Sequence, residues 1–327
     1  MRILILAFAL LLVAGCGGTS SESGDGAKLT LVAYSTPREV YAQLTKDFAK
    51  TDAGQGVSFD ESYGSSGEQS RAVEAGLPAD VVAFSLAPDV ARLVEAGMVE
   101  EGWASDEFDG MVTNSVVVFA VRKGNPKGIK TWDDLVEDGV EVIEPNPFTS
   151  GGARWNVMAA YGAQRKLGKS HEQAVAYLGE LFKHVSVQDK SARESLQTFT
   201  GGKGDVLLAY ENEAILAKEK GEELDYVVPE QTILIQNPVA VTSESGNPEQ
   251  AKAFVDYIRS DAAQKVFGEA GYRPVLESVA GRFHYPQPPQ LFTIDDVGGW
   301  DEVQTRFFDR EDGIMAAIQR DVGAALE

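Results

Sequence analysis

Short apolar runs alternate along the chain with longer segments in which apolar residues recur every three or four positions. The run at 29–34 predicts a strand, and the spacing of Val40, Leu44 and Phe48 predicts a helix after it. This succession continues through most of the 327 residues and predicts an α/β protein. Further strands are predicted at 57–61, 80–84, 115–121, 140–143, 185–187, 206–209 and 232–235.

Helices are predicted where the apolar period lengthens to three or four residues. The clearest start is Ser170, because Gln173 three residues later completes the pattern of a capping box. No internal repeat of fixed period is present, which excludes a solenoid. The predicted helices cover 40–50, 68–75, 89–96, 154–167, 171–183, 248–260, 262–270 and most of 295–325.

The amino terminus differs from the rest of the chain. Its apolar run at 3–14 is shorter than the ~20 residues that a membrane helix needs. The run ends in Val-Ala-Gly-Cys at 13–16 and resembles a lipoprotein signal, in which the cysteine is acylated. We expect 1–15 to be a signal peptide, Cys16 to carry lipid and 16–27 to be a flexible tether. The alternative is an ordinary signal peptide with a chance cysteine.

Four predicted connections from a strand to a helix are short runs rich in Ser and Gly. The first N–H groups of a helix lack acceptors and carry partial positive charge, so several such starts facing one cleft would bind an anion. Ser and Thr are also ordinary helix caps, and the pattern leaves simple capping as an equal alternative. The runs are Ser-Thr-Pro-Arg at 35–38, Gly-Ser-Ser-Gly at 64–67, Thr-Ser-Gly-Gly-Ala at 149–153 and Lys-Ser-Ala-Arg at 190–193.

Composition narrows the classes of function. The chain has 29 Lys and Arg against 50 Asp and Glu, a net charge of −21, which argues against a nucleic-acid binder or a polybasic membrane patch. One cysteine and three histidines argue against a thiolate metal site or a disulfide framework, and we expect no cofactor. An enzyme acting on sulfate or phosphate esters through Ser66 would need a base nearby, and the four connections contain no histidine. We therefore expect no catalysis.

The same connections carry a resemblance to a known family. The segments at 63–69 (YGSSGEQ), 145–156 (PNPFTSGGARWN) and 204–213 (GDVLLAYENE) resemble the periplasmic sulfate-binding proteins of ABC uptake systems. The resemblance implies a type II periplasmic-binding-protein fold, with a ligand cleft between two lobes joined by hinge strands. It places lobe I at 28–114 plus 236–290, lobe II at 115–235 and a C-terminal helical tail at 291–327.

The resemblance also implies an anion site without charged side chains. It assigns hydroxyl donors to Ser66 and Ser150, a hydroxyl to Tyr210 where the family has an indole N–H, and main-chain donors to Ser35, Gly151, Gly152 and Ala192. Tyr210 and Ser35 depart from the familiar pattern, which has Trp and Asp there. A site of donors suits sulfate, which carries no proton at neutral pH, and disfavours monohydrogen phosphate.

The function implied by the resemblance is capture of sulfate, with thiosulfate as a second ligand, for the permease and ATPase of an ABC transporter. The protein would be a monomer outside the cytoplasmic membrane, in the periplasm or on the membrane's outer face, held by its lipid alone. The alternative is a protein of the same fold that binds molybdate or tungstate. A further alternative is a purely structural surface lipoprotein, which would show no response to anions.

Overall fold

The computed structural model describes residues 26–326. The predicted signal peptide, Cys16 and the predicted tether up to residue 25 lie outside the described residues. Within 26–326, every helix is too short or too polar to cross a bilayer.

The strands form a mixed sheet with two parallel parts. Strand β1 pairs in parallel with β2 and β3, and β5 pairs in parallel with β6 and β7. The main order is β2-β1-β3-β9-β4-β7-β5-β6. The strands are β1 (Lys28–Tyr34), β2 (Ser58–Gly64), β3 (Val81–Ala83), β4 (Met111–Arg122), β5 (Val142–Ile143), β6 (Val185–Val187), β7 (Val206–Tyr210), β8 (Leu224–Val227), β9 (Gln231–Val241), β10 (Arg273–Pro274) and β11 (Gln290–Phe292).

Helices cover the faces of both parallel parts. The predicted capping box at the start of α5 is confirmed, because the Ser170 and Gln173 side chains each bond the other residue's backbone N–H. The helices are α1 (Arg38–Phe48), α2 (Ser66–Glu74), α3 (Ala87–Glu95), α4 (Gly151–Lys166), α5 (His171–His184), α6 (Ala192–Thr200), α7 (Glu211–Glu219), α8 (Pro248–Ile258), α9 (Asp261–Glu269), α10 (Glu277–Ala280), α11 (Gly299–Phe308) and α12 (Ile314–Asp321).

The molecule has two lobes, each built on three parallel strands. The first lobe contains β1, β2 and β3, and the second lobe contains β5, β6 and β7. Strands β4 and β9 connect them, because β9 pairs with β3 at one end and β4 pairs with β7 and β8 at the other. Both are longer than the sequence predicts, and they pair with each other in antiparallel fashion. The lobe boundaries expected from the resemblance stay a prediction.

Strand β4 shows why the chain folds as layers. Its side chains alternate between two faces, as in any strand, and both faces are buried. Val117 and Phe119 enter one apolar cluster, and Val116 and Val118 enter another on the opposite face. A run of apolar residues without polar alternation is what a strand covered on both faces requires.

The C-terminal tail packs on the second lobe. Phe307 and Met315 are buried in the same apolar cluster as Trp155 of α4, and α11 also contacts α3 of the first lobe. The tail expected to be helical over 291–327 begins with strand residues, because β11 pairs in parallel with β9. That expectation is wrong at 291–292, whereas α11 and α12 agree with the prediction that most of 295–325 is helical.

Candidate functional site

A cleft of about 10 Å³ lies where the carboxyl ends of strands from both lobes meet. It is far smaller than the ~300 Å³ at which pockets for organic ligands begin, so its size fits only a small ion. No Lys, Arg, Asp or Glu side chain belongs to its lining among the described residues. The lining consists of Tyr34, Ser35, Thr36, Gly64, Ser65, Ser66, Ser85, Ser150, Gly151, Gly152, Ser191, Ala192 and Tyr210.

The structure brings all seven residues of the predicted site into this cleft. Three of them, Gly151, Ala192 and Ser66, begin helices α4, α6 and α2, so three helix N-termini point at one space. In the described part of the chain, the N–H groups of Ser35, Gly151, Gly152 and Ala192 have no acceptor. The cleft therefore offers a set of unpaired N–H donors in a region of positive helix-dipole potential.

Ser150 adds a hydroxyl to these donors. Its Oγ accepts a hydrogen bond from the Ala153 N–H at 3.3 Å and so caps α4. A hydroxyl has one hydrogen and two lone pairs, so the Ser150 hydrogen stays available to the cleft. Ser150 is 3% exposed, which places that donor in a largely dry site.

Ser66 uses its hydroxyl differently. Its Oγ donates to the Asp89 carboxylate at 2.5 Å and accepts from the Ser85 N–H at 2.9 Å. In this structure the hydrogen of Ser66 is therefore directed at Asp89, although Ser66 lines the cleft. Asp89 was not among the predicted site residues, and its only signal in the sequence is its place in the first turn of α3.

Tyr210 contacts Ser85, which was not among the predicted site residues. Its hydroxyl lies 2.6 Å from Ser85 Oγ, and either atom can be the donor. The Ser85 carbonyl oxygen accepts from the Trp155 indole at 2.9 Å and from Asn237 Nδ2 at 2.9 Å. Burial raises the pKa of Tyr210 well above its usual range, so the hydroxyl keeps its hydrogen at neutral pH. Ser85 comes two residues after β3, and Ser35 comes directly after β1. This place after a strand is the sequence feature from which Ser85 could have been predicted.

Charged side chains gather at the rim of the cleft. Arg193 of the second lobe contacts the Glu39 carboxylate at 2.7 and 2.8 Å and donates to the Thr36 carbonyl oxygen at 2.8 Å. Lys220, directly after α7, contacts the same carboxylate at 2.9 Å. The Arg193 guanidinium lowers the pKa of Glu39 to about 2. These contacts cross from one lobe to the other and hold the cleft closed.

Two further carboxylates near the cleft are paired. Glu213 is buried and accepts from the Thr36 hydroxyl at 3.2 Å, and burial raises its pKa. Glu211 is fully buried and lies 2.8 Å from the Arg273 guanidinium, and burial likewise raises its pKa. Both residues lie in the first turn of α7, and each also contacts a distant segment of the chain.

Comparison with known proteins gives matches over most of the chain. Residues 29–273 match the family model of a bacterial extracellular solute-binding protein. A sulfate-binding protein from Synechococcus elongatus is 43% identical over 90% of this chain and 89% of its own, and a thiosulfate-binding protein from Pseudomonas aeruginosa is 35% identical over 85% and 88%. The solved structure of the sulfate-binding protein SubI from Mycobacterium tuberculosis superposes with a TM-score of 0.84 at 43% identity, covering 86% of this chain and all of that one.

Proposed function

The chain belongs to the bacterial extracellular solute-binding proteins, and we propose that it captures sulfate in this cleft for uptake by an ABC transporter. The relatives described above are named for sulfate or thiosulfate. Their names describe binding proteins, which fits a role without catalysis.

One observation supports the proposal above all others. Within residues 26–326, the N–H groups of Ser35, Gly151, Gly152 and Ala192 have no acceptor and meet in a cleft that is lined by uncharged side chains. Sulfate is fully ionised at neutral pH and accepts hydrogen bonds at all four oxygens. Hydrogen bonds to an ion are stronger than neutral ones, so several at once offset the dehydration of the anion.

Closure of the lobes supplies the other half of the proposed mechanism. Strands β4 and β9 are the two long connections between the lobes and would serve as the hinge. With sulfate bound, Ser35 from the first lobe and Gly151 from the second would contact the same ion. Bound sulfate would thus favour the closed form, and the closed form is the shape that a transporter permease would recognise.

We also propose the finer details that the resemblance implies. Cys16 would carry lipid, which would keep a monomeric protein at the outer face of the cytoplasmic membrane. Thiosulfate would be a second ligand, because one terminal atom differs and the remaining oxygens accept the same donors.

The test is thermal unfolding of the purified chain, first stripped of anion, with added sulfate, thiosulfate, molybdate, tungstate or phosphate at equal ionic strength. A ligand that binds only the folded state raises the melting temperature by mass action. We expect a rise with sulfate and thiosulfate and none with phosphate. A larger rise with molybdate than with sulfate would show that molybdate is the preferred ligand. No rise with any anion would contradict the proposal.

A further inference from the structure

The C-terminal tail contacts the loops that end at the cleft, although it lies beyond the residues that match the family model. The contact is made by Asn146, in the loop between β5 and α4. Its side-chain Nδ2 donates to the carbonyl oxygen of Ala325 at 2.9 Å, and the residue is 5% exposed. The loop that leads to Ser150 and Gly151 is therefore tied to the last residues of the chain.

Asn146 also joins the two loops of the second lobe that supply donors to the cleft. Its N–H donates to the Asp189 carbonyl oxygen at 2.8 Å, which ties it to the loop before α6. Its own carbonyl oxygen accepts from the Ser150 N–H at 2.9 Å. The Thr149 hydroxyl adds a second link between the loops, to the Lys190 carbonyl oxygen at 2.7 Å.

The tail holds both loops at two further points. Gln319 of α12 and Gln188 of the loop before α6 exchange two side-chain hydrogen bonds, at 2.6 and 3.0 Å. Arg154 donates to the Pro147 carbonyl oxygen at 2.9 Å and to Gln304 of α11 at 2.7 Å. Each loop is thus fixed to the tail as well as to the other loop.

From these contacts we propose that the tail fixes the geometry of the anion site and that Asn146 is the positioning residue through which it acts. The tail sets the spacing between the N–H groups of Gly151 and Gly152 and the N–H group of Ala192. A fixed spacing matches one size of tetrahedral ion, and molybdate is larger than sulfate. Breaking the hydrogen bond between Asn146 and the tail therefore weakens sulfate binding more than molybdate binding. This inference rests on the proposed function of the same cleft.

Two variants break the link from opposite sides. Asn146→Ser removes the donor to Ala325 without adding a charge, and its hydroxyl oxygen can replace the amide oxygen that accepts from the Phe148 N–H at 2.8 Å. Truncation after Gly323 removes the Ala325 carbonyl oxygen and leaves α12 and the loop sequence intact. Two controls accompany them. Ala325→Gly keeps the carbonyl oxygen, and Val303→Ala weakens the buried packing of the tail without touching Asn146.

Titration calorimetry with sulfate and with molybdate, on each full-length or truncated chain, gives the readout. We expect both variants to weaken sulfate binding about tenfold and to shift the sulfate-to-molybdate affinity ratio at least threefold towards molybdate. Because both break one contact, the combined variant loses no more than either alone. Val303→Ala lowers the melting temperature, and neither control changes the ratio.

Other results overturn the inference. Wild-type sulfate affinity in the truncated chain, or an unchanged ratio in both variants, means that the tail only stabilises the fold. If the wild-type protein still binds sulfate in that case, only the inference about the tail fails and the proposed function stands. If the wild-type protein binds no anion, both proposals fall together.

Discussion

Among the described residues, the side chains that line the cleft are uncharged, whereas at its rim Glu39 forms ion pairs with Arg193 and Lys220. The interior uses N–H groups and hydroxyls, whose positions are fixed by helix starts. The rim uses full charges on long, partly exposed side chains. Fixed dipoles can discriminate the size and protonation of an ion, whereas an ion pair between flexible side chains can form and break in water. We therefore expect the interior to select the anion and the rim to control closure of the lobes.

The largest expected effect comes from filling the space where the two lobes meet. A Cβ on Gly151 would lie 2.6 Å from Leu86 Cδ2 and 2.8 Å from Ser85 Cβ, both in the first lobe. We expect Gly151→Ala to weaken sulfate binding by ~100-fold or more, since the cleft can no longer close on the ion. The ligand-free protein should melt normally, because the clash arises only on closure.

Gly152→Ala is the matched control for this prediction. A Cβ there would meet its nearest neighbour, Ala192 Cβ, at 3.3 Å, within the second lobe. We expect a loss of a few-fold at most, measured by the same calorimetry. Equal losses in both variants would show that glycine is required for another reason than lobe closure.

The next effect tests the interior donors. Ser150→Ala removes one hydroxyl, and a hydrogen bond to a charged group contributes ~1.5–3 kcal/mol, so sulfate affinity should fall at least tenfold. The variant also loses a helix cap, which costs about 1 kcal/mol of stability. Ser170→Ala loses an equivalent cap on α5, far from the cleft, and should show the stability loss without the affinity loss.

A smaller effect is expected at Tyr210. Tyr210→Phe removes the hydroxyl that bonds Ser85 Oγ, and a neutral hydrogen bond contributes ~0.5–1.5 kcal/mol, so affinity should fall about two- to tenfold. Tyr161→Phe is the control, since it removes a tyrosine hydroxyl bonded to His171 away from the cleft. If Tyr210→Phe leaves every anion affinity unchanged, Tyr210 is a packing residue and the donor set is smaller than proposed.

The smallest change in sulfate affinity is expected from breaking the ion pairs at the rim. Glu39→Gln removes a partly exposed ion pair, for which a loss below about fivefold in sulfate affinity is expected. The pKa of Glu39 is lowered from 4.5 to about 2, so its contribution is complete above pH 4.5 and disappears as the pH falls towards 2. The affinity difference between wild type and variant should stay constant from pH 7 to pH 5 and shrink below that.

Asp47→Asn is the control, because Asp47 near the end of α1 pairs with Lys50 just after that helix and makes no contact with the second lobe in the described residues. It should leave affinity unchanged at every pH. A pH-independent difference for Glu39→Gln would show that its carboxylate does not act through its charge.

Local patterns predicted the parts of the molecule that depend on near neighbours in sequence. Strand β6 has the predicted bounds, and the capping box at Ser170 forms as expected. The Ser- and Gly-rich connections do reach one cleft, because the carboxyl ends of parallel strands lie at the same edge of a sheet.

The parts that sequence reasoning missed depend on segments far apart in the chain. Asp89 comes to Ser66 across 23 residues, and Thr36 comes to Glu213 across 177. The polar ends of β4 and β9 do not look like strands, since Thr113 and Asn237 interrupt the apolar runs. In the fold they bond each other at 3.2 Å, which satisfies them inside the sheet.

Trp155 gives the closed cleft an optical signature. Its indole N–H bonds the Ser85 carbonyl oxygen of the opposite lobe, and its ring lies edge-on to Trp300 at 4.7 Å. When the lobes separate, that indole loses its acceptor and gains water, which changes its emission. The four tryptophans of the chain include this one at the joint, so intrinsic fluorescence can follow opening and closing in time without any attached dye.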